Sequence, residues 1–451
     1  MKRAYTNGIL LDGTEQMQPV AHKILLTEDD KITAIADEGV DLDGYEVIDL
    51  HGSYIMPGLV NLHVHLAGNG KPSAKPRDNA ALVRRILSNG LTRAVAYRLV
   101  CSYAKLELLG GVTTVRTVGG IADFDTRCRD DSAAGKVLAP RILAANEGIS
   151  VPGGHMAGSV AVAAHNNAEA LAQLKKASAQ KVDLVKLMIT GGVLDAEVVG
   201  EPGVLRMPVE VAAAACKAAH DMGLPVMAHV ESTEGVKVAL EAGVDTIEHG
   251  APLTSEILEL YRGTAGTQLE GRAPSVTCTI SPALPFVLLD PEKTHSTDTQ
   301  KKNGDIVCSG IIESARAALE AGVKVGLGTD SSCPFVTQYD MWREVAYFAK
   351  YVGVSNAFAL HTATQVNAEL LGLGGETGTI ECGKAADILV TRKNPLDDLC
   401  ALREPMHVMC RGDLVRKLKV KRIPEVDAEL DAIMAMPAEA LAEELARDGV
   451  A

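Results

Sequence analysis

The sequence predicts an α/β protein built on a (β/α)8 TIM barrel, with a small discontinuous β-sandwich domain made from both termini. Three observations support this prediction. Apolar strand-like segments alternate with alanine-rich helical segments over residues 57–375, a pattern typical of a parallel sheet covered on both faces. Strand-like pieces without helices occupy residues 1–56 and return at 376–423. An acidic, helix-prone tail follows at 424–451.

The barrel elements follow one another along the chain. The predicted strands, which share apolar and β-branched residues, are GLVNLHVH, GVTTVRTVG, RILAANEGIS, DLVKLMIT, PVMAHVE, DTIEHG, PSVTCTIS and VKVGLGTD. The helices between them include RAVAYRLVCSYAKLELLG, NAEALAQLKKASAQ, PVEVAAAACKAAHDMG, STEGVKVALEAG and SGIIESARAALEAG. Several of these helices end at glycine, as helix C-terminal caps do. Eight strand–helix units predict closure into a barrel, and we expect long loops at 191–207 and 281–304 to cover its mouth.

Composition and charge argue against several classes of function. Lys and Arg total 44 against 58 Asp and Glu, for a net charge of −14, which disfavours binding to a nucleic-acid backbone. The sequence has no apolar run long enough to span a membrane, and its start lacks the apolar core of a signal peptide. We therefore expect a cytoplasmic protein without a membrane partner. The nine cysteines have no CxxC spacing and are expected to be reduced.

The tail at 424–451 allows three interpretations. It could pack against the barrel, form the contact of a homo-oligomer, or lie free in solvent.

Polar residues at or near the ends of the predicted strands form a candidate metal site, and they are His63, His65, Lys186, His229, His249 and Asp330. Strand ends are where a barrel of this type carries its active site. His63 and His65 are two residues apart on one strand, so both imidazoles point the same way, which suits a zinc ion. His229 and His249 lie on adjacent units and would hold a second ion.

Lys186 is an unusual candidate ligand because a protonated amine cannot bind a metal. Burial disfavours the charged form of a lysine. Carboxylation by CO2 would convert the amine into an anionic carbamate, whose two oxygens could bridge two metal ions. Alternatively, the Lys186 stem could simply pack on the barrel wall.

The other candidates also have structural interpretations. A histidine in a strand is commonly a hydrogen-bonded core residue, and Glu248 could be the important polar residue of IEHG instead of His249. Asp330, which follows Gly and Thr, could cap a helix or a turn. Their joint occurrence at strand ends favours the metal site.

Together these motifs resemble the amidohydrolase superfamily, and within it the imidazolonepropionase-like branch that includes Xaa-Pro dipeptidases. The segments that carry the resemblance are IDLHGSYIMPGLVNLHVHL, GGVTTVRTVGG, ALEAGVDTIEHG, TATQVNAELLGLG and GTIECGKAADILV. The resemblance implies two divalent metal ions of the zinc type. It places His63 and His65 on the more buried ion and His229 and His249 on the other.

The same resemblance implies that Lys186 bridges the two ions as a carboxylysine, and that Asp330 is both a ligand and the catalytic proton shuttle. The implied reaction is hydrolysis of an amide bond by a metal-bridging hydroxide. The implied substrate is a small molecule, either a dipeptide or an N-acyl amino acid.

Two further residues are candidates for substrate binding. By the resemblance, His155 in ISVPGGHMAG stands where a histidine contacts the carboxylate of a peptide-like substrate; the alternative is that it orders its own loop. Glu231 in AHVES would favour a cationic substrate group if it faces the cavity. If it faces outward, it only begins the next helix. Cys333 could line the site, although we expect it to have a packing role.

Three functions follow from these observations. The leading one is a dinuclear zinc-dependent amidohydrolase that cleaves a dipeptide or an N-acyl amino acid. The second is a cyclic amidase that opens an imidazolone-like or hydantoin-like ring, for which no substrate carboxylate need meet His155. The third is a catalytically silent metal-binding scaffold, which is disfavoured because a purely structural site would not require Asp330.

Overall fold

The computed structural model of the protein describes residues 1–75, 78–263, 268–269, 271–447 and 449. Five strands precede the barrel, and they are β1 (Lys2–Leu10), β2 (Val20–Glu28), β3 (Lys31–Asp37), β4 (Glu46–Asp49) and β5 (Tyr54–Pro57). The first three form an antiparallel meander, whereas β4 and β5 run parallel to β1.

The predicted alternation of strands and helices begins at Leu59. The strands of this region are short and mostly buried, and they are β6 (Leu59–Val64), β7 (Val112–Thr117), β8 (Arg141–Leu143), β9 (Gly148–Ser150), β10 (Ala161–Ala163), β11 (Val185–Met188), β12 (Val226–Val230), β13 (Thr246–His249), β14 (Ser275–Cys278) and β15 (Val325–Leu327). From β11 to β15 each strand pairs in parallel with the next. Such strands need helices on the outside of the barrel to keep their outer faces from water.

Helices supply this cover, and they are α1 (Asn79–Leu87), α2 (Gly90–Leu109), α3 (Phe124–Ala133), α4 (Asn167–Ala179), α5 (Val209–Asp221), α6 (Thr233–Ala242), α7 (Ser255–Gly263), α8 (Leu284–Leu288), α9 (Pro291–Thr294), α10 (Asp298–Glu320), α11 (Met341–Tyr347), α12 (Asn356–His361) and α13 (Asn367–Leu370). Short π-helical stretches, Phe348–Val352 and Thr362–Val366, continue α11 and α12. The five helices predicted from the sequence correspond to α2, α4, α5, α6 and the second half of α10.

Helix α6 shows how local sequence signals set the element boundaries. The Ser232 hydroxyl accepts a hydrogen bond from the amide of Gly235 at 3.2 Å and so caps the helix start. Gly243 ends the helix with a φ of 98°, a left-handed conformation that glycine adopts without steric cost. The chain then turns directly into β13, which carries His249 at its end.

The barrel closes between its first and eighth strands, which confirms the predicted (β/α)8 fold. The amide of Asp330 donates to the carbonyl of His63 at 2.9 Å. Next to this contact, Val64 and Ser331 form a parallel bridge. Closure therefore places the end of the eighth strand directly beside the two histidines of the first.

The third barrel position is filled by two short strands instead of the single predicted strand 141–150. Asn146, between β8 and β9, has a left-handed conformation with a φ of 56°, which interrupts the strand. β8 pairs with β7, and β9 pairs with β11. The two halves together keep the barrel continuous.

The segment 281–304, which we expected to be a loop, contains α8, α9 and the start of α10. Pro285 and Pro291 lie in the first turns of α8 and α9, where a missing backbone N–H costs nothing. The segment 191–207 is a loop with one short 3-10 turn, Val193–Asp195. Both segments contribute to the mouth of the barrel.

The small β domain combines strands from both ends of the chain, as predicted. The C-terminal strands are β16 (Ile388–Thr391), β17 (His407–Cys410) and β18 (Asp413–Leu414). β16 pairs antiparallel with β5, so the sheet order is β18-β17-β16-β5-β1-β2-β3, with β4 beside β1. The boundaries at residues 56, 375 and 423 stay predictions.

The C-terminal tail packs on the barrel through α14 (Pro424–Ala435) and α15 (Ala438–Arg447). Leu430 and Leu441 are buried. Ion pairs join Glu429 to Lys293 on α9 at 2.8 Å and Asp431 to Arg343 on α11 at 2.7 Å. The structure therefore agrees with the packing interpretation, while residues 448, 450 and 451 of the predicted tail lie outside the described residues.

Within the described part of the chain, no helix has both the length and the apolar character that crossing a membrane requires. The cytoplasmic location stays a prediction.

Candidate metal centre

The six predicted metal ligands line one cavity at the mouth of the barrel. His63 lies in β6 and His65 directly follows it, whereas each of the other four lies in or shortly after a different strand. The candidate substrate residues His155 and Glu231 line the same cavity, and so does Cys333. Residues that are far apart in the sequence are thus brought together by barrel closure alone.

The first cluster of possible ligands consists of His63, His65 and Asp330. The Nε2 atoms of both histidines lie 3.3 Å from Oδ1 of Asp330. The Nδ1 atom of His65 is held by the carbonyl of Gly119 at 2.8 Å. Burial alone would raise the pKa of Asp330, but His63 and His65 keep it well below its ordinary value. This carboxylate is therefore ionised and suited to bind a cation.

The second cluster consists of His229, His249 and Glu231, with one ligand atom of each within 4.8 Å of the others. Nε2 of His229 contacts the carbonyl of Gly191 at 3.0 Å, and Nδ1 of His249 contacts the Thr279 hydroxyl at 2.7 Å. Each imidazole therefore has one nitrogen fixed by the protein and the other available as a ligand. Such anchoring of the distal nitrogen is typical of metal-binding histidines.

The two clusters adjoin each other in the cavity. The ring centroids of His63 and His249 are 4.8 Å apart, as are those of His229 and His249. Burial lowers the pKa of both His229 and His249 well below the ordinary value, with neighbouring histidines adding to the effect. Both imidazoles are therefore neutral, which is the form that binds metal.

Lys186 is buried on β11, and its Nζ atom has no hydrogen-bond partner among the described residues. Burial lowers the pKa of Lys186 to about 8, although Glu248 and Asp330 oppose this effect. An orphaned buried amine is costly unless a further group satisfies it. Four imidazoles and a carboxylate around this amine form a donor set that fits divalent metal ions.

Glu248, considered from the sequence only as an alternative to His249, forms a buried pair with Arg116, which was not considered. Oε2 of Glu248 accepts a hydrogen bond from Nδ1 of His63 at 2.7 Å. Nη2 of Arg116 donates to both oxygens of Glu248, at 2.7 and 2.9 Å. Both charged residues fall inside predicted barrel strands, GVTTVRTVG and DTIEHG, and this is the signal that could have found them.

His155 is placed by two contacts. Its ring stacks on that of His229 with centroids 3.9 Å apart and planes within 3°. Its Nδ1 atom is paired with a carboxylate oxygen of Asp195, in the loop after β11. His155 therefore lines the cavity and is also tied to its neighbouring loop.

Glu231 faces the cavity, so the alternative of an outward side chain is wrong. Its Oε2 atom accepts a hydrogen bond from the amide of Val193 at 3.1 Å.

Cys333 also reaches the site, with its Sγ atom 3.3 Å from Oδ2 of Asp330. Burial and the nearby Asp330 raise the pKa of the Cys333 thiol well above its ordinary value, so the thiol is protonated.

The rest of the cavity wall is apolar. It comes from the loop after β11, from the segment around α8 and from α10, and its residues include Val193, Leu194, Pro282, Phe286, Val307 and Ile311. Polar side chains of the lining are thereby confined to the two ligand clusters, Lys186, His155 and Cys333. A pocket of this kind suits a small molecule with apolar groups around a reactive carbonyl.

The fold and the site together define a barrel hydrolase whose strand-end histidines and carboxylate are arranged for metal-assisted hydrolysis. The chain belongs to the Amidohydrolase family, which matches residues 54–415. The predicted superfamily is therefore confirmed, and with it the assignment of the protein as an enzyme.

Relatives with known names share most of the chain. A solved structure of a provisionally named prolidase from Bifidobacterium longum is 35% identical, covers 96% of this chain and 99% of its own, and has a TM-score of 0.84. A Xaa-Pro dipeptidase structure with methionine in its active site is 28% identical, covers 92% and 100%, and has a TM-score of 0.77. Imidazolonepropionase of Mesorhizobium japonicum is 27% identical over 369 residues, 77% of this chain and 80% of its own length.

Proposed function

We propose that the protein is a dinuclear zinc-dependent amidohydrolase that cleaves the amide bond of a dipeptide or an N-acyl amino acid. The observation that carries this proposal is the convergence of four imidazoles, Asp330 and the orphaned Lys186 on one apolar-walled cavity. The chemistry of these donors favours zinc, since neutral imidazole and carboxylate are its usual ligands.

Two adjacent groups of residues would hold the metal ions. His63, His65 and Asp330 would hold one ion, and His229 with His249 the other. Lys186 would bridge them as a carboxylysine, for which its amine must first be neutral to react with CO2. The pKa of about 8 that burial gives Lys186 makes a substantial neutral fraction available near neutral pH.

Divalent ions held there would lower the pKa of a water molecule and polarise the substrate carbonyl. The protein itself supplies proton transfer. Asp330 is ionised, lies against His63 and His65, and is accessible from the cavity. It would accept the proton of the attacking water and deliver it to the leaving amine nitrogen.

His155 would position the departing half of the substrate. Its ring is held in the cavity by the contact of Nδ1 with Asp195 and by stacking on His229, and it would contact the carboxylate of that half. Support for an amino-acid product comes from the related Xaa-Pro dipeptidase, which holds methionine in its active site. The apolar walls at Phe286 and Ile311 would accept uncharged side chains.

A substrate panel tests this function. The enzyme would be purified, supplied with zinc and bicarbonate, and assayed against dipeptides, N-acyl amino acids and cyclic ureides. Cleavage of a dipeptide or an N-acyl amino acid, lost in Asp330→Asn, is the expected result. Activity confined to cyclic ureides would instead indicate the cyclic amidase, and failure to hydrolyse any member of the panel would favour the silent scaffold.

A further inference from the structure

The cavity has apolar side chains on two opposite sides of the barrel. On one side, Met156 and Leu194 line the cavity with His155, which follows β9. On the other side, Phe286 lines it and follows β14. Four steps of strand pairing separate β9 from β14, which is half of an eight-stranded barrel, so the two sides face each other across the mouth. A substrate whose departing half is held at His155 would therefore extend its acyl half toward Phe286.

The wall on this second side combines α8 with one face of α10, and we call it the α8–α10 wall. Phe286 comes from α8, whereas Val307 and Ile311 come from α10. Val307 and Ile311 are four residues apart, so they lie one turn apart on the same face of the helix. All three side chains are apolar and buried. Each methylene of a substrate that packs against them should raise affinity about fourfold.

Phe286 has no room to move back from the cavity, because α8 packs closely on α10. A Cβ atom at Gly304, one turn before Val307, would lie 2.8 Å from Cβ of Phe286. Such a distance is too short for two carbon atoms that are not bonded, so only glycine permits the observed spacing. Glycine is otherwise unfavourable inside a helix. Gly304 thus determines how far Phe286 stands from the opposite side of the cavity.

The segment that leads into α8 is fixed as well, by Glu344 of α11. The two carboxylate oxygens of Glu344 accept hydrogen bonds from the amides of Ile280 and Ser281, at 2.7 and 2.8 Å. Glu344 is buried, and Ile280 and Ser281 lie between β14 and α8. The α8–α10 wall is therefore held at both ends. A wall that cannot adapt discriminates between substrates by the size of the group that packs against it.

We propose that the α8–α10 wall is the subsite for the acyl half of the substrate, and that Phe286, seated on Gly304, limits the length of this half. The group that fits is uncharged and apolar, such as a straight acyl chain or the aliphatic side chain of an amino-terminal residue. This inference rests on the proposed function and names the substrate class on the acyl side of the amide bond.

Substrates that differ only in the acyl half test the inference. One series consists of N-acyl amino acids from acetyl to decanoyl, and the other of dipeptides whose first residue runs from alanine to norleucine and its longer homologues. The departing residue is the same in all of them. The ratio kcat/KM would be measured for zinc-loaded wild type, Phe286→Ala, Phe286→Leu and the control Met156→Ala, which shortens an apolar side chain on the side of His155.

In wild type, kcat/KM should rise by up to about fourfold per methylene until the subsite is full, and then fall. Phe286→Ala should move this maximum to longer chains, and Phe286→Leu should move it less far. Met156→Ala should keep the wild-type maximum, whatever its effect on the overall rate. An unchanged maximum in both Phe286 variants would overturn the inference and leave the proposed function standing. Failure of wild type to hydrolyse any member of either series or of the substrate panel would overturn both.

Gly304→Ala tests the seat of Phe286 from the other direction. The added methyl group would push α8 toward the cavity, so the maximum should move to shorter chains than in wild type. A maximum that is unchanged or moves to longer chains would show that Gly304 does not set the position of Phe286, and that part of the inference would be wrong.

The orientation of the substrate is tested by a third series, in which the acyl group is constant and the departing amino acid varies. Phe286→Ala should rank these substrates in the same order as wild type, because the α8–α10 wall meets the acyl half. A changed order in this series, together with an unchanged maximum in the acyl series, would show that Phe286 contacts the departing half and would overturn the inference.

Discussion

Glu248 holds His63 in place, with Nδ1 of the imidazole 2.7 Å from Oε2 of the carboxylate. Arg116 in turn binds both oxygens of Glu248, and the hydroxyl of Thr246 donates to Oε1 at 2.8 Å. Burial would raise the pKa of Glu248, but Arg116 and His63 bring it well below its ordinary value. The ionised Glu248 therefore sets the orientation and tautomer of His63, a proposed metal ligand. Carboxylates commonly do this when they accept a hydrogen bond from a metal-binding histidine.

Replacement of Glu248 by glutamine should weaken metal binding. The amide cannot match the charge that orients His63, and loss of such a partner typically lowers affinity about ten- to a hundred-fold. Zinc titration against a competing chelator measures the change. Glu107→Gln is the control, because Glu107 is equally buried but contacts Asn61 and no proposed ligand. Equal zinc affinity in wild type and Glu248→Gln would contradict the orienting role.

Glu107 should make stability fall as the pH rises. Burial raises the pKa of Glu107 to about 8, so the folded protein keeps a proton that the unfolded chain releases near its ordinary pKa of about 4.3. This stabilisation is complete below the unfolded pKa and is lost as the pH rises to about 8, at up to about 1.4 kcal/mol per pH unit.

Unfolding in urea at pH 5 and pH 8 measures this effect. Glu107→Gln should show a smaller loss of stability between the two pH values than wild type shows. Parallel losses in the two proteins would mean that Glu107 is not the group that titrates.

Replacement of Lys186 by alanine should abolish hydrolysis, because the proposed bridge between the two ions would be lost. A short carboxylate such as acetate or propionate could enter the vacated space and supply the missing oxygens. Activity of Lys186→Ala should therefore be partly restored by millimolar carboxylate, in a dose-dependent manner, in the substrate assay. Full activity of Lys186→Ala without any addition would reject the bridging role.

Packing of the tail should contribute to the stability of the whole protein. Leu430 on α14 is 3% exposed, and truncation of a buried leucine to alanine typically costs about 2–5 kcal/mol. Leu430→Ala should thus lower the free energy of unfolding by that amount in denaturant titration. Leu82→Ala is the matched control, since Leu82 is 46% exposed, and it should change stability by less than about 0.5 kcal/mol. Equal effects of the two substitutions would show that the tail is not part of the folded core.

Much of the fold follows from local patterns in the sequence. Apolar strands and capped helices such as α6 are encoded by neighbouring residues, so the order of barrel elements could be predicted. The break at Asn146 and the helices α8 and α9 were missed. In the sequence, a residue with a left-handed conformation and a proline at a helix start look the same as residues of a loop. Only the tertiary surroundings of these residues distinguish the two cases.

The site was only partly predictable. The six proposed ligands could be found because barrel topology brings all strand ends to one mouth. The link from Arg116 through Glu248 to His63 depends on side-chain directions across different strands, which sequence spacing does not determine. The same is true of Glu231, whose direction into the cavity depends on the amide of Val193 in another loop.

Zinc stoichiometry tests the central claim most directly. Wild type and Lys186→Ala would be loaded with zinc and bicarbonate, freed of loosely bound metal, and analysed for zinc per folded chain. Two zinc ions per wild-type chain, and one or fewer in Lys186→Ala, is the result predicted by a lysine-bridged dinuclear centre. One ion or fewer in wild type, or two ions retained in Lys186→Ala, would contradict it.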